Sequence, residues 1–144
     1  MIRPASRGER GAASVEFAIV VPALVLVIGL VIAAGRLAHA RVAVQQWADS
    51  AARTASIARD AGAAQSRARA VVASDAAHTS VSCGGGWSVS LDTGAFGRPA
   101  GQPGAVDVRV VCPVPLADLV PGLPGTILVE GRASSTLDRY RGRR

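Results

Sequence analysis

Lysine is absent from this 144-residue chain, so all sixteen of its basic residues are arginines. Aromatic residues make up only 3% of it, with one Met, two His and two Cys. Each shortage excludes something. The net charge of +6 and a pI near 11.2 suit a polyanion, but the arginines are scattered. Without aromatic stacking surfaces or a recognisable motif they make no nucleic-acid site. His39 and His78 are far apart in sequence and no paired ligand spacing accompanies Cys83 or Cys112, so no metal site is expected. There is no G-x-S-x-G, no phosphate-binding P-loop and no H-E-x-x-H. Gly84-Gly85-Gly86 precedes an extended stretch and does not open a helix, which argues against a phosphate cradle. The chain is therefore expected to be neither an enzyme nor a cofactor protein. The preference for Arg, Ala, Gly and Val reflects GC-rich coding more than chemistry.

Charge is missing in one place above all. From Phe17 to Gly35 the sequence reads FAIVVPALVLVIGLVIAAG, without an ionisable side chain. As a helix this run extends about 28 Å, close to the hydrocarbon thickness of a bilayer. A single membrane span is the expectation. Two other readings compete with it. A buried core helix would need bulky partners that the chain does not have. A secretory signal peptide is suggested by Ala38-His39-Ala40, a small-x-small triplet, which would give a secreted protein cleaved near Ala40. The run is long for a signal peptide, and Arg36 intervenes. Arg3, Arg7 and Arg10 precede the span while Arg36, Arg41 and Arg53 follow it, so flanking charge orients it weakly. Both cysteines follow the span, and a disulfide between them places the C-terminal part outside the cytosol. Within the run, Pro22 predicts a kink, and Gly29 with Ala33 forms a small-xxx-small face for close helix approach. At its cytoplasmic edge stands Glu16, a carboxylate whose position at a bilayer rim marks it as functional.

Beyond the span, Leu37, Val44, Trp47, Ala48, Ala51, Ala52, Ala55 and Ala58 recur at helical spacing. No Pro interrupts residues 23–98, and one helix is expected from about Ser14 to Ile57 or beyond. Gly62 is the expected break, with residues 63–77 resuming the helix. From Thr79 onward the texture becomes β-like. Thr79–Cys83, Trp87–Leu91, Val106–Val111 and Thr126–Glu130 running towards Thr136 read as strands. Gly/Pro clusters between them, Pro113-Val114-Pro115 included, read as turns and loops. The fold class is thus α+β, a long N-terminal helix packed on a small antiparallel sheet. The division runs as a basic leader over 1–11, a transmembrane segment over 12–35, a helical stalk over 36–77 and a small β-rich extracytoplasmic domain over 78–144. Cys83 and Cys112 fall in or beside strands, and a disulfide is expected in place of two buried thiols. The cluster Arg139, Arg141, Arg143 and Arg144 around Tyr140 reads as a solvated tail, suited to anionic lipid or cell-wall polymer.

Gly11, a Glu five residues later, Phe17 and then the apolar run resemble the processing site of type IV pilin-like proteins. The wider stretch from Arg7 to Pro22 resembles the start of the TadE-like family of tight-adherence (Flp) pilus systems. Gly35-Arg36-Leu37 and the segment from Ala48 to Ala55 resemble it too, so the likeness covers residues 7–60. The resemblance implies a minor pilin or pseudopilin, a structural or assembly component of such a pilus or a related secretion system. It implies a prepilin peptidase cutting between Gly11 and Ala12, which would make Glu16 the fifth residue of the mature chain. It implies partners as well: membrane lipid, other pilin-like subunits and the assembly platform. Glu16, beside Phe17, would pair with a neighbour's new amino terminus, the opposite charge that a carboxylate buried between helices requires. The alternatives are a single-pass anchored binding domain unrelated to a filament, or the secreted protein above. A helix-start reading, in which Ser14 caps and Glu16 occupies the first turn, also stands.

Overall fold

A computed structural model describes residues 9–99 and 101–137, with side chains from Phe17 onward. The first element, α1 (Glu9–Ser56), is one helix of 48 residues that continues through Pro22. At 1.5 Å per residue it is about 72 Å long, more than twice a bilayer's hydrocarbon thickness. It gives way over residues 57–60 to α2 (Ala61–Ala77). The expected break at Gly62 is displaced, because Asp60 makes the new start. Asp60 is extended, and its carboxylate accepts a 2.7 Å hydrogen bond from the Ala63 N–H, while Gly62 lies inside α2. A side-chain acceptor at the N-cap satisfies a donor that the first helical turn leaves open. With so short a link, α2 folds back on α1. Ala64, Ala68 and Val72 are its buried stripe.

The sheet is antiparallel, ordered β1 (Ser88–Asp92), β2 (Ala105–Pro115), β3 (Thr126–Thr136). This is the α+β arrangement the patterning predicts, a long helix with a small antiparallel sheet. Two local expectations are corrected. Thr79–Cys83 is a loop and not a strand, since β1 is an edge that no further strand joins. Instead the segment is pinned to β2 by the Cys83–Cys112 disulfide and by a 2.7 Å hydrogen bond from Gly84 N–H to the Pro113 carbonyl. Pro113-Val114-Pro115, read as loop, is the end of β2. The register explains why proline is tolerated there. β1 pairs with β2 only as far as Val111, whereas Pro113 and Pro115 pair with Leu128 and Thr126 of β3 alone. The Pro113 carbonyl faces away from β3, so the missing N–H of that residue removes no ladder bond.

Alternation along β2 puts Val106, Val108, Val110, Cys112 and Val114 on the buried face. Across from them lies the lower half of α1, with Ala40, Ala43, Val44, Trp47, Ala48, Ala51, Ala52 and Ala55 all buried. Trp47 is the largest fully buried side chain among the described residues, in a core otherwise made mostly of Ala and Val. Small side chains allow elements to approach closely. The extreme is Gly131 of β3, where an added Cβ would sit 2.8 Å from the Val44 carbonyl carbon and 2.9 Å from Gln45 Cα.

Gly131→Ala should therefore destabilise the domain by about 1–3 kcal/mol, the usual scale for overpacking. Denaturant unfolding of the full chain in detergent checks this, with exposed Ser134→Ala expected to change little. The disulfide links residues 29 apart with Cα atoms 5.2 Å apart. Closing a loop of that length stabilises by about 3–4 kcal/mol in the chain-entropy model. Cys83→Ala should cost that order of stability and abolish the mobility difference between oxidised and reduced protein. Two freely alkylated thiols in protein from intact cells would refute the pairing there.

Candidate functional site

α1 is the candidate site, because two environments meet along it. Its upper part is apolar and uncovered. Phe17, Ile19, Leu26 and Leu30 are each 70% exposed or more. The most apolar window has mean hydropathy 3.0 with only 6% of it buried. The core helix of a soluble protein would be covered by the rest of its fold. This helix is not, and it is a candidate membrane span near the N-terminus. Burial begins at Ala40, four residues after Arg36. At the junction the Arg36 guanidinium donates a 2.6 Å hydrogen bond to the Asp118 carbonyl in a one-turn helix, α3 (Leu116–Leu119). A charged group at the end of an apolar run is thus tied to the domain rather than left inside the span.

The buried part of α1 is fastened along β3. The side-chain amide of Gln45 donates 2.7 Å to the Arg132 carbonyl, and its oxygen accepts 3.2 Å from the Arg132 N–H. One glutamine thereby imitates a neighbouring strand on the free edge of the sheet, an edge that would otherwise be open to foreign strands. Gly131, the adjacent residue, lets the two backbones touch. Anchor and domain are joined by main-chain contact as well as by side-chain packing.

On the opposite face of the sheet, Glu130 binds two arginines. Arg109 Nη2 lies 2.6 Å from Glu130 Oε2, and Arg132 Nε bonds Glu130 Oε1. These hydrogen bonds, that to Arg109 first, hold the Glu130 carboxyl below its ordinary pKa near 4.5. The pair is solvent-exposed, so it is a minor stabiliser.

The sequence-predicted residues do not form one cluster. Gly11, Ala12 and Glu16 lie on the helical backbone of α1, and their side chains fall outside the described residues. Phe17 is 71% exposed at the start of the described side chains. Pro22 lies within α1, and Cys83 and Cys112 are bonded to each other in the sheet domain, stapling it. The Arg-rich C-terminal cluster lies outside the described residues. Among the described residues no group of three or more His, Cys, Asp or Glu is placed to hold a metal. His78 caps its own helix, Nδ1 lying 2.7 Å from the Ser74 carbonyl. Reading the sequence overlooked Gln45, Gly131 and the Arg36 junction. Gly131 carried a signal, since an isolated Gly within a strand pattern marks close backbone approach. Gln45 carried none, as its role depends on which strand edge the helix meets.

The geometry defines a class: a small α+β domain built around the lower half of a long helix whose upper half is a candidate membrane anchor. Comparison with protein families adds a likeness over part of the chain. The model of the family described as TadE-like protein matches residues 11–53, nearly the whole of α1 and none of the sheet. Searches of the curated proteins and of the solved structures gave no match.

The acid behaviour of the domain follows from Glu130. With its pKa lowered on folding, its contribution is present above about pH 4.5 and is lost as pH falls through the lowered value. Glu130→Gln should therefore lower Tm at neutral pH, and the difference from wild type should shrink as the pH falls below about 4.5. A difference independent of pH would mean that the triad does not stabilise the fold.

Proposed function

We propose that this chain is a minor pilin or pseudopilin, a structural or assembly subunit of a tight-adherence (Flp) pilus or a related secretion system, and not an enzyme. The observation that carries the reading is the extent of the family match. It spans the exposed apolar half of α1 and continues through the half that seats the domain, ending at residue 53. A match confined to the apolar run would suit any membrane anchor. One that also includes Val44, Gln45, Trp47 and the alanine face involves the residues that hold an outer domain.

In this reading α1 crosses the membrane once, with its N-terminus in the cytoplasm and the disulfide-bearing domain outside. A prepilin peptidase removes residues 1–11, and Glu16 near the new N-terminus pairs with the amine of a neighbouring subunit. An unpaired carboxylate between packed apolar helices is unfavourable, and an amine at the same depth neutralises it. The continuous helix then transmits the position of that pair to the domain.

Glu16→Ala tests this directly. A plain membrane anchor loses a costly charge and should insert at least as well as before. A subunit that uses Glu16 for assembly should insert normally, form its disulfide and fail to crosslink to other components of the pilus system. Gly11→Val should leave the precursor uncut, about 1.2 kDa heavier at roughly 110 Da per retained residue, because the peptidase needs close access to the backbone there. Normal assembly with Glu16→Ala would favour a single-pass anchored binding domain.

A further inference from the structure

A second apolar segment runs beside the membrane helix. From Leu119 to Val129 the chain reads LVPGLPGTILV, without a charged residue. Its first part is the loop after α3. Leu119 at the end of α3, with Val120 and Pro121 of that loop, lines a groove of about 470 Å³ together with Leu26, Gly29 and Leu30 of α1. Those α1 residues belong to the candidate span, and Leu26 lies ten residues before Arg36, about 15 Å along the helix axis. Thus the loop does not rest above the membrane segment but flanks its last turns. Val120 and Leu123 point outward, 42% and 45% exposed.

From this juxtaposition we infer that the 119–124 loop is a lipid-seated wedge, a second contact of the domain with the bilayer, packed among acyl chains beside α1. The inference rests on α1 crossing a membrane. Three observations favour lipid as the occupant. Val120 and Pro121 continue the exposed apolar surface of α1, so whatever solvent surrounds Leu26 and Leu30 also reaches Val120, and Leu123 lies three residues further along the same uncharged loop. Charge stops at the right level: Asp118 and Arg36 stand together at the rim, bonded through the Asp118 carbonyl, and no charge follows until Glu130. Four of the loop's backbone positions also present no free donor to an apolar medium, where each one is costly. Pro121 and Pro124 have no N–H, the Val120 N–H donates 2.8 Å to the Leu116 carbonyl, and the Leu123 N–H donates 3.2 Å to the Val120 carbonyl. The wedge gives the domain two supports on the membrane. A single helix lets a domain rotate and tilt, whereas a helix with a side contact fixes which face of the sheet looks along the membrane and which looks outward.

The test uses the full chain in phosphatidylcholine–phosphatidylglycerol vesicles, carrying an environment-sensitive fluorophore on one introduced cysteine. Leu123→Cys is the probe. Val25→Cys on the span and Asp107→Cys on the exposed sheet face are the references, and retained Cys83–Cys112 pairing confirms folding in each. The Leu123 label should resemble the Val25 label, with blue-shifted emission quenched by lipids brominated on their acyl chains and indifferent to iodide. The Asp107 label should show the reverse. A Leu123 label open to iodide, with Val25 still in lipid, would overturn the wedge alone. Both labels open to iodide would overturn the membrane reading itself. A Leu123 label shielded from both quenchers, with energy transfer to a second labelled copy, would replace lipid by a neighbouring subunit and overturn the proposal too.

Discussion

Everything in the domain depends on α1 coming close enough to β3 for main chain to touch main chain. At Gly131 there is no room for even a methyl group against Val44 and Gln45. This contact lets Gln45 reach the Arg132 backbone and seal the strand edge, and it brings the inner valines of β2 within reach of the alanine face. A protein so poor in aromatic and large aliphatic residues outside its span cannot fill a wide gap between helix and sheet. It closes the gap instead, and dispersion contacts between small groups at short range replace bulk.

The sheet has three strands and one covered face, a size at which independent stability is marginal. Three devices compensate. α1 covers the inner face, α2 folds back over the alanine surface left by the sheet, and the disulfide ties the loop before β1 to the end of β2 where β1 no longer reaches. The domain is thus a structure formed on its own long helix. Removing the lower half of α1 would remove the wall of the core, because Val44, Trp47 and Ala51 contribute to it directly.

That dependence bears on assembly. In the proposed subunit the helix passes without interruption from the Glu16 region to Ser56, so displacement at the membrane end is delivered to the sheet rather than absorbed in a linker. The Arg36–Asp118 hydrogen bond marks where the uncovered apolar part of the helix gives way to the part that seats the domain. The loop beyond Asp118 extends the apolar surface on the same side of the helix.

Much of this was legible in the sequence by itself: the uncharged run, the continuing helical period to Ile57, the α+β class, three of the strands and the partnership of two cysteines. These are local signals of hydropathy, period and turn chemistry, and the likeness to TadE-like proteins arises from the same N-terminal segment. Tertiary structure decided the rest. Thr79–Cys83 has a strand-like pattern and no strand to pair with. Pro113 and Pro115 read as loop and are strand, because register leaves β2 with one neighbour there. Asp60 rather than Gly62 starts α2, because a carboxylate placed to accept the Ala63 N–H defines a helix start more firmly than a flexible residue does. Gln45 and Gly131 are 86 residues apart by position, and nothing near either one reports the other. Composition and period determine which segments are helical, extended or lipid-soluble, since those depend on neighbours along the chain. Which backbone groups meet depends on how two elements dock, a distance that only the folded chain defines.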